Sequence, residues 1–260
     1  SFVDFQSRYP HSKLSPGINE QLFYAYEQSK DFANAAVLLV AQHTASPNTE
    51  TGRLALLQAA EYFEKAQQRA QALNSYRNYA HQYPQPMADA NEARFILSEF
   101  YLQSNEQSKR RFWLNKLVQA HQSALGQSSQ NEARQPQSAA SPRSAYLASF
   151  AAMVFATDAN TVYKRIKLTQ PLAKSLQNKQ EALQIAIEQY ERIIDFGSAQ
   201  FVTAANYHLA NLYITLAQDL MDSSRPQNLS PLELSQYEIL LEEQAFPFEE
   251  TAIGLHEKNI

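Results

Sequence analysis

Apolar residues recur every three or four positions along the first part of the chain, and X-Pro junctions interrupt them at equal intervals. The junctions are Tyr9-Pro10, Ser46-Pro47 and Tyr83-Pro84, and their prolines are 37 positions apart in both steps (47 − 10 and 84 − 47). This apolar spacing is the period of an amphipathic helix, and proline ends a helix. A period of this length with two helices per unit predicts an all-α fold, an α-solenoid of antiparallel helix pairs.

The middle unit, residues 53–86, shows the pattern most fully. Its small and large apolar positions, with the proline that ends it, are Leu56, Ala59, Ala60, Phe63, Ala72, Tyr76, Tyr79 and Pro84. Small residues at Ala60 and Ala72 allow two antiparallel helices to approach closely, and the aromatic residues fill the space around that contact. The unit is therefore predicted to be a packed helix pair.

This order resembles the tetratricopeptide repeat (TPR), whose pattern of large, Leu, Gly/Ala, Tyr, Ala, aromatic, Ala and Pro falls on the same eight positions. Ala59 stands where Leu is usual, and Tyr79 stands where Ala is usual. The preceding unit, residues 16–49, fits the same pattern. The following unit, residues 91–121, is degenerate because Arg110 occupies the place of a small residue.

The chain divides into four predicted parts. Residues 1–15 end an upstream repeat, 16–121 form three TPR-like repeats, 122–143 form a polar linker or long loop, and 144–260 form a second helical-repeat region with longer helices. Leu125 is the one large aliphatic residue of the linker, so that segment buries too little to offset its ordering entropy. The alternative is a polar helix that continues the third repeat. Because the chain starts inside a repeat and without Met, we expect further repeats before Ser1.

Start and stop signals mark the helices of the C-terminal region. Ser141-Pro142 is a helix start, Gly197 ends a helix over residues 172–196, and another helix covers residues 201–221. Ser230-Pro231-Leu232-Glu233 is a capping box that opens a helix to about Ala245. Pro247 is predicted to begin a separate last helix.

Composition excludes several classes of function. Apolar residues make up 44% of the chain, charged residues 18%, and there are only 5 Gly, which suits a helical protein. No apolar run reaches the roughly 18 residues of a membrane span. A net charge of −4 argues against nucleic-acid binding, which needs a basic face. The absence of Cys excludes thiolate metal sites and cysteine nucleophiles.

Signals for catalysis are weak. None of the six histidines belongs to an HExxH motif, and the chain has no Gly-rich phosphate loop and no GxSxG turn. His43, His81 and His121 recur near the ends of successive second helices, so we interpret them as solvated or capping residues. Trp113, beside a basic run, is interpreted as a core residue. We expect no enzyme activity, catalytic residue, metal or cofactor.

The resemblance implies a concave groove lined by the first helix of each repeat. Carried over to this chain, the groove positions are Glu20, Tyr24, Glu27, Leu57, Glu61, Glu64, Lys65, Glu92, Phe95 and Glu99. Six carboxylates and one lysine alternate here with apolar side chains, which suits a basic or amphipathic protein segment. One alternative is an ordinary Glu-rich helix surface. The other places binding on the acidic C-terminal helices, around Glu242, Glu243, Glu249 and Glu250.

The C-terminal stretch YEILLEEQAFPFEETAIGLHEKN and the Tyr-Pro-ended repeats resemble proteobacterial cell-envelope TPR proteins of the TonB/ExbB-associated or gliding-motility type. This resemblance implies a protein-protein interaction scaffold of the periplasm or cell envelope, with a cytoplasmic location as the alternative. The second hypothesis for function is a helical accessory or regulatory domain of a larger enzyme such as a peptidoglycan hydrolase.

Overall fold

The fold is all-helical in a computed structural model that describes residues 15–130 and 141–257. These residues contain ten α-helices and no strand. The helices are α1 (Ser15–Gln28), α2 (Phe32–Ala45), α3 (Glu50–Lys65), α4 (Arg69–Gln82), α5 (Met87–Gln103), α6 (Gln107–Gln130), α7 (Pro142–Arg165), α8 (Leu172–Phe196), α9 (Ala199–Met221) and α10 (Pro231–Glu257). None of these helices is both long and apolar enough to cross a membrane.

Helices adjacent in sequence pack against each other. In order along the chain, α1 packs on α2, α2 on α3, α3 on α4 and α4 on α5, and the same holds for α7 on α8, α8 on α9 and α9 on α10. The chain divides into two compact units, Ser1–Trp113 and Leu114–Ile260, and the boundary lies within α6. Packing in consecutive pairs is the arrangement expected of helical repeats.

One turn recurs three times in the first unit. Lys30, Gln67 and Asn105 have left-handed backbone φ angles of 57°, 58° and 56°, and each follows the first helix of a pair. The backbone N–H of the next residue bonds the carbonyl five positions earlier, at Tyr26, Phe63 and Tyr101, with N···O of 2.8 Å each time. This is the Schellman motif, which satisfies carbonyls at a helix end. The three helix pairs therefore share one local geometry.

Within the first unit, contacts between proline junctions join consecutive helix pairs. The Tyr83 hydroxyl, which precedes Pro84, donates a hydrogen bond of 2.6 Å to the carbonyl of Pro47. Gly52 allows the chain to turn closely here, because a Cβ on Gly52 would lie 1.9 Å from the Ser46 carbonyl oxygen. The side chain of Thr49 caps α3 by accepting from the Gly52 N–H at 3.0 Å.

The predicted core of the middle unit is confirmed. Seven positions of its pattern are buried, at most 6% exposed: Leu56, Ala59, Ala60, Phe63, Ala72, Tyr76 and Tyr79. Trp113 is buried as well. Tyr79, which stands where the TPR pattern has Ala, places its hydroxyl beside Arg53 and Asp89. Burial and then the charge of Asp89 raise the pKa of Tyr79 to about 12.

The second unit buries a charged side chain. Lys179 of α8 is 0% exposed, and its Nζ lies 2.5 Å from Oδ2 of Asp219 on α9. The same ammonium donates to the Ile166 carbonyl at 2.9 Å and lies 4.4 Å from the centre of the Tyr163 ring. A buried ammonium is tolerated when it is paired and hydrogen-bonded in this way.

Three start and stop signals of the C-terminal region are confirmed. Ser141 accepts from the Ser144 N–H to cap α7, and Gly197 ends α8 with a left-handed φ of 69°. Ser230 and Glu233 form the capping box of α10, with N–H···O contacts of 2.8 and 3.4 Å.

The prediction that Pro247 begins a separate helix is wrong. Pro247 lies inside one continuous helix, α10. Proline removes a single backbone donor there, and α10 packs on α9 through Leu241, Ala245 and Ala252 on both sides of it. Contacts on both sides hold the two halves in line.

Part of the predicted linker is helical. Residues 122–130 continue α6, while residues 131–140 lie outside the described part of the chain. The end of an upstream repeat and the Tyr9-Pro10 junction also lie outside the described residues. The proposed domain division stays a prediction.

Candidate functional site

The predicted groove residues lie on the first helices of the three pairs. Glu20, Tyr24 and Glu27 lie on α1, the four from Leu57 to Lys65 on α3, and Glu92, Phe95 and Glu99 on α5. The residues of α1 are exposed, and Tyr24 is 64% exposed. On α5 all three are half-buried. Exposure of the predicted positions therefore decreases from α1 to α5.

A cavity of about 470 Å³ brings three of these residues together. Glu64 of α3 and Phe95 and Glu99 of α5 all line it. The other lining residues are Gln67, Arg69, Ile96, Phe100 and Gln103. The cavity thus joins the first helices of two consecutive pairs, with an apolar wall and two carboxylates.

Glu99 carries an unsatisfied acceptor at this cavity. Its Oε1 is buried and has no hydrogen-bond partner among the described residues. A buried carboxylate oxygen without a donor is costly, and a ligand donor that reached it would remove that cost. Phe95, Ile96 and Phe100 supply apolar surface beside it. The pair of features suits a side chain with an apolar stem and a cationic end.

Arg69 is the cation of the cavity, and its position is held by the backbone and side chains of α5. Its Nη2 donates to the Phe100 carbonyl at 2.9 Å, and its Nη1 donates to Oε1 of Gln103 at 2.6 Å. The guanidinium also lies 4.7 Å from the centre of the Phe100 ring. These contacts fix one end of the cavity and tie α4 to α5.

Two buried tyrosines hold groove carboxylates in place. The Tyr62 hydroxyl donates to Glu27, and the Tyr76 hydroxyl donates to Glu64 at 3.1 Å. Burial and then the hydrogen bond to Glu27 raise the pKa of Tyr62 to about 12. Burial and then the charge of Glu64 raise the pKa of Tyr76 still further above its usual value. Both phenols therefore remain neutral donors at pH 7.

Lys65, the predicted groove cation, packs over aromatic rings. Its Nζ lies 4.3 Å from the centre of the Tyr62 ring and 5.9 Å from that of Phe32. A cation over a ring face is stabilised by the ring quadrupole. Lys65 thus lies against rings of α2 and α3, while the carboxylates at the cavity belong to Glu64 and Glu99.

The remaining predicted positions lie away from the cavity lining. Leu57 is half-buried and packs against the hydrophobic core of the first unit. Glu20 and Tyr24 are exposed on α1, and Glu92 is half-buried on α5. The charge of Glu61 reaches both Tyr62 and Tyr76 and contributes to their raised pKa values.

The interpretation of the recurring histidines as solvated or capping is wrong for His121. His121 is 0% exposed, its Nδ1 lies 3.3 Å from the Ser144 hydroxyl, and its ring packs on Phe196 with centroids 4.8 Å apart. Burial lowers its pKa, although a hydrogen bond with the Phe196 backbone opposes this. The other two stay nearer the surface: His43 lies 3.1 Å from the Gly52 carbonyl, and His81 packs on Trp113.

Sequence reasoning missed the part of the cavity that comes from outside the carried-over positions. Arg69 begins the second helix of its pair, and Gln67 lies in the left-handed turn before it. The signal available was a basic residue just after the turn of the middle repeat, four positions after Lys65. Among the described residues, no cluster of three or more His, Asp or Glu is placed to bind a metal ion.

The chain was compared with known proteins. It matches no protein-family model and no curated protein.

Proposed function

We propose that the chain is a non-enzymatic interaction scaffold, a TPR-like solenoid whose first unit binds a basic or amphipathic protein segment along α1, α3 and α5. The observation that carries the proposal is the cavity at Glu64, Phe95 and Glu99, where a buried unsatisfied carboxylate oxygen adjoins aromatic side chains. The cell-envelope location implied by the resemblance belongs to the same proposal.

The chemistry of the cavity favours a lysine or arginine of the ligand. The ammonium or guanidinium donates to Oε1 of Glu99, and the methylene stem lies against Phe95 and Phe100. Glu64 is held in position because Tyr76 donates to it. The exposed carboxylates of α1 and α3 then act at longer range and steer a positively charged chain toward the groove.

The repeated turns support the TPR-like part of the proposal. Three Schellman motifs with the same hydrogen bond recur at 30, 67 and 105, close to the 37-residue period of the proline junctions. Equal turns give equal helix-pair geometry, so the first helices line one face in register. Residues one repeat period apart in the sequence thereby lie beside each other on that face.

A binding measurement with a defined probe tests the proposal. The probe is a fluorescein-labelled extended peptide of about twelve residues in which two Lys and two Leu are set among Ser and Gly. We expect it to bind the full chain and to lose at least about tenfold in affinity to the Glu64→Gln/Glu99→Gln variant, because the charged partner of its lysine is removed. Fluorescence anisotropy measures both.

The control removes the same charge elsewhere. Glu181→Gln/Glu188→Gln neutralises two exposed carboxylates of α8, and binding of the peptide should not change. A peptide with Glu in place of Lys should not bind. Equal loss of affinity in the two variants, or no loss in the Glu64/Glu99 variant, would show that the cavity is not the binding site.

A further inference from the structure

The last helix, α10, carries a regular stripe of exposed large apolar residues. Leu232, Ile239, Phe246 and Ile253 follow one another at intervals of seven positions, and each is more than half exposed. Residues seven apart lie almost above one another on a helix, 20° apart after two turns. The four side chains therefore form a single line along the whole length of α10.

This stripe lies on the side of α10 away from its packed face. The packed face contains Leu241, Ala245 and Ala252, which are buried. Ile239 precedes Leu241 by two positions, about 200° around the helix, whereas Ala245 and Ala252 are about 100° from Phe246 and Ile253. The centres of the two apolar lines are therefore about 130° apart around the helix. A helix with apolar residues on both sides is normally covered on both. Among the described residues, α10 makes its main helix contacts with α9.

Glutamates border the stripe. Relative to Ile239 and Phe246, Glu242 and Glu249 lie about 60° to one side and Glu243 and Glu250 about 40° to the other. All four are exposed. The helix has seven glutamates in total and neither Lys nor Arg: Glu233, Glu238, Glu242, Glu243, Glu249, Glu250 and Glu257. A partner must therefore supply positive charge beside an apolar line.

The structure assigns to this stripe an α-helix of another protein, with apolar residues at heptad spacing and Lys or Arg at the flanking positions. The positions three and four residues after Ile239 and Phe246 are glutamates, so the stripe supplies one of the two apolar positions of each heptad of a helix–helix seam. The flanking charges then choose the partner. Self-pairing of α10 would bring two glutamate borders together with no basic residue to offset them. Membrane-surface helices carry Lys and Arg on the polar face, which α10 lacks.

The test uses a designed probe and the full chain. The probe is a labelled four-heptad peptide with Leu at positions a and d and Lys at e and g, and its counterpart carries Glu at e and g. We expect the Lys peptide to bind and gain helical circular dichroism on mixing, and the Glu peptide not to bind. The Ile239→Ser/Phe246→Ser variant should bind at least about tenfold more weakly, because two apolar contacts at the centre of the seam are lost.

Two controls separate the stripe from other surfaces. Val162→Ser/Ile185→Ser removes two apolar residues of equal exposure, 56% and 55%, from α7 and α8 and should leave binding unchanged. The comparison is repeated in the Glu64→Gln/Glu99→Gln background, where the groove has lost its charged partners. The stripe variant should lose the same factor there, so that the result for α10 and the result for the groove are independent. The stripe variant should melt at the wild-type temperature, because both replaced side chains are exposed.

Each other outcome overturns the inference. If the Lys peptide does not bind, or if the stripe variant binds it equally well, the stripe does not bind a partner helix of this kind. Sedimentation velocity of the wild-type chain alone provides the second measurement: a dimer that the stripe variant does not form would assign the surface to a second copy. A melting temperature lowered in the stripe variant would show that the stripe is covered within the chain itself.

Discussion

Arg53 Nη1 lies 2.6 Å from Asp89 Oδ2, and this ion pair joins α3 to α5. The Tyr79 hydroxyl lies between them, accepting from Arg53 and donating to Asp89 at 3.4 Å. Burial works against the charge of Arg53, but the hydrogen bonds to Asp89 and Tyr79 outweigh it and raise the pKa of Arg53. One side chain from each of three consecutive helices thus meets at a single polar contact.

We predict a measurable coupling between Arg53 and Asp89. A double-mutant cycle with Arg53→Met and Asp89→Asn should give a coupling of about 0.5 to 3 kcal/mol in the free energy of unfolding, since the Arg53 side chain is only 12% exposed and that of Asp89 33%. Urea denaturation measures it. The exposed pair Lys109 and Glu106 is the control and should give a smaller coupling. Equal couplings would mean that burial adds nothing to the Arg53 pair.

We predict that Asp219→Asn destabilises the second unit strongly. The substitution leaves the ammonium of Lys179 buried without its carboxylate, which costs about 3 to 5 kcal/mol. The double variant Lys179→Met/Asp219→Leu replaces both charges by apolar groups and should recover most of that loss. Guanidinium denaturation of the three proteins tests this. A double variant as unstable as Asp219→Asn would show that the two charges stabilise the unit together.

We predict that stability falls as the pH is lowered below the ordinary pKa of histidine. Burial lowers the pKa of His121 and of His208, so the unfolded chain binds protons that the folded chain excludes. Their contribution is therefore fully present above the unfolded value of 6.5 and is lost as the pH falls below it. Unfolding free energies measured from about pH 7.5 to 5.5 should decrease, and less so in His121→Gln. If the unfolding free energy of the variant depends on pH as steeply as that of the wild type, His121 does not contribute to the pH dependence.

We predict that the two residue types of the groove affect binding kinetics differently. Glu61→Lys/Glu64→Lys should slow association of the extended peptide with two Lys and two Leu and flatten the salt dependence of its association rate, because these carboxylates steer its approach. Phe95→Ala should speed dissociation with little change in the salt dependence, because it removes apolar contact made after binding. Stopped-flow measurements across a salt series separate the two. If both variants bind the peptide with wild-type kinetics, the peptide binds elsewhere than in this groove.

The cavity was partly predictable. Glu64, Phe95 and Glu99 follow from the repeat register because equal units place equivalent positions on one face. Arg69 does not follow from it, since it lies on a second helix and reaches the cavity through bonds to Phe100 and Gln103, more than 30 positions away. Tyr79 appeared as a departure from the repeat pattern. Its polar partners, Arg53 of α3 and Asp89 of α5, reach it only because α3, α4 and α5 pack together.

The sequence by itself determined that the chain is helical and where several helices begin and end. Gly197, Ser141-Pro142 and the Ser230 capping box act within a few residues, through backbone conformation and local hydrogen bonds, so no distant contact changes their effect. Pro247 is different: it removes one helical hydrogen bond, and the packing of α10 on α9 outweighs that loss.

Tertiary structure alone decided which polar groups are buried together. Lys179 and Asp219 are 40 positions apart (219 − 179), and nothing in their sequence surroundings marks them as a pair. His121 belongs to a row of three histidines at similar places in sequence, yet only its neighbours Ser144 and Phe196 make it a buried residue. Burial depends on which helices cover a side chain, and that depends on contacts between distant parts of the chain, which local sequence pattern does not contain.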